Sequence, residues 1–357
     1  MISTKKASKS PEILECTLRD GSYALDFQFT ASDTFNIARR LDRLGFQWIE
    51  VGHGVGLGAS QNGQGVAAAT DVEYMESAAE AVRNGRWGMF CIPGIARVED
   101  IEIAADHGMD FVRVGCEVTE VEETKVFIER ARDYGLFVFS NLMKSYTSSV
   151  DFFVEQAKKT IDYGAQCVYV VDSAGGMLPK EIGDYASALR ESRPEIKIGF
   201  HGHNNLGLAV ANSLFCADAG FDVIDSSLQG FGRSAGNAAT EQLVAALVRN
   251  GMDVPADPVA TMESGEELIR PLMSEVGISS LDVTSGLALF HSSYMRRVLD
   301  SAKQHRVDPR RLILELCKHD RINAPLQLIE ACAGAVKSHG LPRESLLLKS
   351  YFGEEQK

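Results

Sequence analysis

The sequence predicts an α/β fold, a closed (β/α)8 or TIM barrel followed by a C-terminal helical region. Three observations carry that prediction. From residue 12 to about residue 251, short β-branched or apolar runs alternate with longer segments of helical period. A glycine follows most of the helical segments, and the next apolar run starts soon after it. The unusual polar residues cluster at the C-terminal ends of the runs, where a barrel of this kind places its chemistry.

In chain order the strand candidates are 12–20, 46–53, 87–93, 111–117, 136–143, 167–172, 197–203 and 223–228. Helix candidates lie between them, among them 32–44, 72–84, 150–163 and 206–219. Alternation implies parallel neighbours, because parallel strands need a crossover helix. Gly45, Gly85, Gly108, Gly135, Gly164, Gly220 and Gly251 are expected to take the left-handed position that closes each helix. An open doubly wound sheet is the competing architecture. It normally has a glycine-rich turn after its first strand, and here the chain reads Arg19-Asp20-Gly21-Ser22-Tyr23. Beyond about residue 255 the strand signal fades, and 266–276, 292–305, 309–318, 325–338 and 343–349 read as amphipathic helices. The expected organisation is a tail over 1–11, a barrel over 12–254, a helical domain over 255–352 and a tail over 353–357.

Composition narrows the function classes. The 357 residues carry 36 Lys and Arg against 49 Asp and Glu, a net charge of −13. That excess argues against nucleic acid or an anionic membrane surface as a partner. No apolar run approaches the roughly 20 residues that cross a bilayer, and the first residues lack the apolar core of a signal peptide. Seven cysteines without a C-x-x-C pair point to reduced thiols and a cytoplasmic location.

The strand ends carry the candidate chemistry. Strand 1 ends in Arg19-Asp20, strand 2 in His53 and strand 6 in Asp172-Ser173. Strand 7 ends in His201-Gly202-His203-Asn204-Asn205, and strand 8 runs into a glycine-rich turn ending at Asn237. His201 and His203, two apart on a strand, share a face and can grip one ion, with Asp20 supplying a carboxylate from the opposite side. Such a set leaves positions open, which suits six-coordinate Mn²⁺, Mg²⁺ or Co²⁺ better than a closed structural zinc. The plain alternative is a hydrogen-bonded histidine pair. Asn237 can add an amide oxygen or serve as a helix N-cap. If the chain turns at Gly21, Arg19 can swing over the mouth and clamp a carboxylate or enolate oxygen. Otherwise it forms a surface salt bridge.

Thr17-Leu18-Arg19-Asp20-Gly21, His201-Gly202-His203-Asn204-Asn205 and Ala235-Gly236-Asn237 resemble the signature of the DRE-TIM metallolyases, the HMGL-like or pyruvate carboxyltransferase-like barrels. Within that group the chain is most similar to the 4-hydroxy-2-oxovalerate aldolases. Glu50-Val51-Gly52-His53-Gly54, Ile92-Pro93-Gly94-Ile95, Val112-Arg113-Val114, Asp172-Ser173-Ala174-Gly175-Gly176 and Ser285-Gly286-Leu287-Ala288 extend the likeness over nearly the whole chain. The resemblance implies a divalent cation, usually Mn²⁺ or Mg²⁺, held by Asp20, His201 and His203, and a 2-keto acid chelated to it. It places Arg19 beside the keto oxygen and Ser173 at the carboxylate. It implies cleavage of a 4-hydroxy-2-oxo acid to pyruvate enolate and an aldehyde, or the reverse condensation. Relatives of this kind often pair with an aldehyde dehydrogenase, and a homodimer is a comparable expectation.

Two departures stand out. Where the aldolases usually carry a catalytic histidine, two residues after the Arg-Asp-Gly motif, this chain has Tyr23. Where they carry a tyrosine before Ser292-Ser293, it has His291. The expectation is that His291 takes over proton transfer while Tyr23 orients the substrate hydroxyl. Phe90 and Ile92, on one face of strand 3, are expected to shape the aldehyde pocket, and His53 to face substrate. Val55 stands where the aldolases commonly have an aspartate. The rival readings are an acyl-CoA-dependent Claisen enzyme of the same superfamily, a non-haem iron oxygenase and a non-catalytic relative.

Overall fold

The computed structural model describes residues 10–273 and 277–336. Eight strands close into a barrel in chain order: β1 (Glu12–Glu15), β2 (Trp48–Val51), β3 (Arg86–Cys91), β4 (Phe111–Glu117), β5 (Phe137–Met143), β6 (Cys167–Asp172), β7 (Lys197–Gly202) and β8 (Val223–Ser226). All neighbours are parallel, and β8 closes on β1 with Ile13 opposite Ile224. Helices α1 (Ala31–Leu44), α2 (Asp71–Ala81), α3 (Val98–Asp106), α4 (Lys125–Asp133), α5 (Val150–Tyr163), α6 (Pro179–Ser192), α7 (Ala209–Asp218) and α8 (Thr240–Arg249) form the outer layer. Local sequence sets their starts. Thr30 with Asp33 and Thr70 with Glu73 form capping boxes, each satisfying two backbone donors that a helix N-terminus would leave orphaned. Parallel strands inside α/β alternation also set aside the iron-oxygenase scaffold, which is built from antiparallel strands.

The barrel interior is layered. Its floor is aromatic: Trp48, Phe111, Phe139 and Tyr169 meet edge to face, with centroids 5.0–5.8 Å apart. Small residues make the room, since a Cβ on Gly199 would run into the Tyr169 ring. Above the floor lies a buried charged layer of Glu50, Arg113 and Asp225, and above that the mouth.

Strand 1 is shorter than expected. Instead of running to Asp20, β1 stops at Glu15, and Asp20–Leu25 form a 3-10 helix. The Arg19 and Asp20 amides both donate to the Cys16 carbonyl, which folds the chain over the barrel rim. Gly21 is needed here for a reason other than left-handed backbone: a Cβ would sit 2.9 Å from the Phe231 ring. Gly85 likewise departs from expectation. The other six closing glycines have positive φ, but α2 ends earlier, at Ala81, and a Cβ at Gly85 would press on the Phe46 carbonyl.

The C-terminal region packs α10 (Ser280–Ala288), α11 (Met295–His305), α12 (Pro309–His319) and α13 (Leu326–Ala335) around Leu281, Met295, Val298, Leu312, Leu316 and Ile329. The helix expected over 266–276 is replaced by α9 (Pro258–Ser264) and two irregular turns, Gly265–Ile269 and Arg270–Leu272. The Asp257 cap and Pro258 start the helix early, and Pro271 cannot continue it. The expectation of α10 is missing from the sequence reading, although Ser279 and Asp282 box its start. The helix expected over 343–349 and the tail over 353–357 lie outside the described residues, as do residues 1–9 of the N-terminal tail. All seven cysteines are buried free thiols. No helix among the described residues is long and apolar enough to cross a membrane.

Candidate metal centre and active site

Three side chains able to hold a metal ion converge at the barrel mouth. One ligand atom from each of Asp20, His201 and His203 lies within 4.8 Å of the others, and all three residues are buried. Asp20 arrives on the 3-10 turn after β1, His201 on β7 and His203 just past the end of β7, held by a bridge to Asn237. The two imidazoles stand edge to face, 5.1 Å apart.

Hydrogen bonds fix which ring nitrogens face the other two side chains. His201 Nδ1 lies 2.8 Å from Asp225 Oδ2, and His203 Nδ1 lies 3.2 Å from the Gly236 carbonyl. Neither oxygen can donate, so each Nδ1 carries the proton and each Nε2 keeps its lone pair for an ion. Electrostatics agree. Burial alone would raise the Asp20 pKa, but Arg19, His203, His201 and Arg233 outweigh it and hold the carboxyl far below the usual carboxylate range. Burial pushes His203 down to about 3, against the pull of Asp20, so it is neutral at pH 7.

The surroundings also fit a cation. A Cβ on Gly232 would come within 2.7 Å of Asp20 Oδ2 and closer still to the Asn237 amide, so only glycine leaves this space open. Asn237 is brought to the site. Its Nδ2 donates to Asp20 Oδ2 at 2.7 Å, and its buried Oδ1 makes no hydrogen bond among the described residues. It is not a helix N-cap, a position Ala239 occupies for α8. A second cluster of donors, Cys16, His201 and Asp225, lies one layer lower. There Asp225 Oδ2 already accepts from Arg113 and His201.

Arg19 is a buried member of this centre and not a surface salt bridge. Its Nη1 donates to Asp20 Oδ1 at 2.7 Å and its Nε to Glu50 Oε2 at 2.8 Å, while its guanidinium carbon sits 4.8 Å from the centroid of the Phe90 ring. The cavity beside it is lined by Phe90, Ile92, Ser173, Tyr23, His291 and Arg233, together with Asn141 and Lys144. Phe90 fills the space that Gly115 leaves bare. The Ser173 hydroxyl accepts from the Lys144 backbone N–H at 3.2 Å, which holds its oxygen at the wall. Asp172 is structural: it accepts from the backbone N–H groups of Gly176 and Met177 at the start of the β6–α6 connection.

His53 is not part of the cavity wall. Its Nδ1 accepts from the Val55 N–H, its Nε2 donates to the Gly65 carbonyl, and its ring stacks on Phe27 at 3.9 Å. Burial lowers it to about 4, so it is a neutral brace for the 54–67 loop. Val55 packs in the same small cluster with Tyr23, Phe27 and Ala59.

Tyr23 and His291 do meet, through Arg233, a residue without a sequence motif of its own. Arg233 Nη2 donates to His291 Nε2 at 3.1 Å, and the Arg233 guanidinium lies 5.2 Å from the centroid of the Tyr23 ring. His291 Nδ1 lies 2.7 Å from Ser293 Oγ and accepts from the Ser293 backbone N–H at 3.3 Å. Burial, followed by the charges of Arg233 and Lys144, drives the His291 pKa well below that of an ordinary histidine. The imidazole is therefore neutral, with its basic lone pair already engaged. Glu50, Asp225, Asn141 and Arg233 had no assigned role in the sequence. Their inward alternation on β2, β8 and β5, and the position of Arg233 in the strand-8 turn, were the available signals.

Residues 10–268 match the family model described as HMGL-like. A 4-hydroxy-2-oxovalerate aldolase of Rhodococcus opacus is 41 % identical over 326 residues, covering 90 % of this chain and 93 % of the relative. An oxaloacetate decarboxylase of Mycobacterium tuberculosis is 40 % identical over 312 residues, covering 87 % and 93 %. The carboxyl transferase domain of Rhizobium etli pyruvate carboxylase superposes with a TM-score of 0.74 at 18 % identity, over 95 % of this chain and 64 % of that one, a likeness of fold alone.

Proposed function

The chain belongs to the HMGL-like family, and from that premise we propose that it is a divalent-metal-dependent carbon–carbon lyase acting on 4-hydroxy-2-oxo acids. The observation that carries this reading is the meeting of Asp20, His201, His203 and Arg19 at one cavity with Ser173. Aldolases among the relatives support the substrate class. Asp20 and the two Nε2 atoms would hold the ion, Mn²⁺ in the first instance, with Asn237 steadying Asp20 through its amide. A divalent ion bound there supplies Lewis-acid stabilisation of an enolate oxygen.

The chain's own groups do the rest. Arg19 is pinned by Glu50 and Asp20, and its Nη2 makes no hydrogen bond among the described residues, so it is preset to donate to the enolate oxygen. Ser173 receives the carboxylate. His291 Nε2 takes the C4 hydroxyl proton once substrate replaces its Arg233 contact, and Tyr23 orients that hydroxyl. Breaking C3–C4 then releases the aldehyde, and protonation at C3 gives pyruvate. Phe90 and Ile92 bound the space for the acceptor. The released aldehyde is the natural substrate of an aldehyde dehydrogenase partner, and a homodimer completes this reading. Co-purification and light scattering test both.

A second reading is favoured by one observation. The base lone pair of His291 is occupied, and decarboxylating oxaloacetate to pyruvate enolate and CO₂ needs enolate stabilisation but no base for a hydroxyl proton. The decarboxylase among the relatives is as similar as the aldolases. Pyruvate release with and without Mn²⁺, across a panel of 4-hydroxy-2-oxo acids plus oxaloacetate, decides. Turnover of the hydroxy acids supports the aldolase, turnover of oxaloacetate alone supports the decarboxylase, and no metal-dependent release from any of them overturns both.

A further inference from the structure

Asp20 and His201 face each other across the mouth, but they are also joined underneath, through the barrel interior. Arg19 binds Asp20 and Glu50, the second Glu50 oxygen lies 3.3 Å from Arg113 Nε, and Arg113 Nη2 donates to Asp225 Oδ2 at 2.6 Å. That same Asp225 oxygen accepts from His201 Nδ1 at 2.8 Å. The signs alternate along the whole path, and Glu50 and Arg113 are both 0 % exposed. Three carboxylates against two guanidiniums leave one net negative charge beneath the site.

Such a layer is costly where barrels usually place Val, Ile and Leu. Burying ions takes several kcal/mol each before pairing, and apolar residues of similar size are often as stable or more so. The pairing here is also incomplete. Arg113 Nη1 and Asp225 Oδ1 make no hydrogen bond among the described residues, and neither do Arg113 Nε and Glu50 Oε1, which meet as an ion pair at 3.3 Å without hydrogen-bond geometry. Arg113 is braced instead by the Tyr169 ring, 4.6 Å from its guanidinium carbon. Stability alone does not account for an ion placed here.

We propose that Arg113 is a positioning residue: from beneath the mouth it fixes the spacing between the half of the site that holds the ion, His201 through Asp225, and the half that receives the enolate oxygen, Arg19 through Glu50. A guanidinium suits the task because Nε and Nη2 of one rigid plane reach two carboxylates, which a lysine ammonium cannot do in fixed geometry. The Arg19 half rests on the enolate chemistry proposed above, and the ion half does not.

The test is Arg113→Lys, which keeps the charge and removes the fork. Mn²⁺ affinity is measured by electron paramagnetic resonance titration, and enolate formation by exchange of pyruvate methyl protons into D₂O at saturating Mn²⁺. The expected result is Mn²⁺ binding weakened at least ~10-fold, the scale typical of lost outer-shell support, together with exchange slowed at least ~10-fold in the Mn²⁺-saturated protein. A merely structural role would lower the melting temperature and leave both values of the folded protein unchanged. Mn²⁺ affinity within twofold of the parent, or unchanged exchange at saturation, overturns the proposal.

Should Arg113→Lys fail to fold, Asp225→Asn, which keeps shape and removes charge, carries the same two readouts. It is expected to weaken Mn²⁺ and to slow exchange although it touches neither Arg19 nor Glu50. Unchanged exchange at saturating Mn²⁺ would contradict the linkage. A parent protein that binds Mn²⁺ but exchanges no pyruvate protons counts against the aldolase reading, and the Mn²⁺ arm then decides the proposal by itself.

Discussion

The two ends of the cavity are built differently. At the metal end, Asp20, His201, His203 and Arg19 hang from strand ends or the turn beside them, each buried and each held by at least one hydrogen bond of 3.2 Å or less. At the proton-transfer end, Tyr23, Arg233 and His291 come from three separate segments: the turn after β1, the loop after β8 and the linker between α10 and α11. One end is set by the barrel itself, and the other depends on the C-terminal region docking correctly. The difference says which part of the chemistry the fold guarantees. In the function proposed, enolate stabilisation falls to the barrel and the choice of leaving group to what covers it.

The comparison breaks most visibly at the metal end. Asp20→Asn is expected to abolish Mn²⁺ binding and lower pyruvate release ~1000-fold, since charge and ligand go together. Both are read by a metal titration and a coupled pyruvate assay. Arg19→Lys comes next. Loss of its rigid donor should lower kcat ~100-fold for every substrate whose enolate is pyruvate, with Mn²⁺ still bound.

Substitutions at the other end should separate reactions instead of stopping them. His291→Ala is expected to slow cleavage of a 4-hydroxy-2-oxo acid ~100-fold and to leave oxaloacetate decarboxylation within about threefold, because only the first needs a base. Tyr23→Phe should have a smaller effect in the same direction. Equal losses in both reactions would show that the two ends act as one unit.

How much of this was legible in the sequence follows the same divide. His201-Gly202-His203 and Asp20 could be assigned because strand periodicity and strand ends are local properties, and the barrel places strand ends together. The register broke at Arg19, where an expected strand was a turn. Alternation would have sent Arg19 and Asp20 to opposite faces, but the Cys16 carbonyl accepting both amides brings them to one. His53 looked like a strand-end ligand, and it is a loop brace because Gly65, 12 residues on, and Phe27, from the turn after β1, reach it. Arg233 escaped notice because its partners, His291 and Tyr23, are distant in sequence and no local pattern announces their meeting. Arg113 lies within an ordinary apolar strand, where only the closed barrel sets Glu50 and Asp225 beside it.

The smallest expected effect concerns pH and the apo protein. Folded His203 and His53 have pKa values near 3 and 4, below the unfolded 6.5, and His291 is displaced the same way. The unfolded chain therefore binds more protons below pH 6.5. Stability is fully present above that value and falls as pH drops toward 4. Melting curves of the metal-free protein check this. Mn²⁺ should raise the curve and steepen its acid limb, since protons compete with the ion for the same nitrogens.

The most direct test of the central claim is pulsed electron paramagnetic resonance of the Mn²⁺-loaded protein. The account predicts nitrogen couplings from two imidazoles, one lost in His201→Ala and the other in His203→Ala, with ¹⁷O-labelled pyruvate broadening the signal of the parent. Bound Mn²⁺ that shows no imidazole coupling, or couplings indifferent to both substitutions, would contradict it.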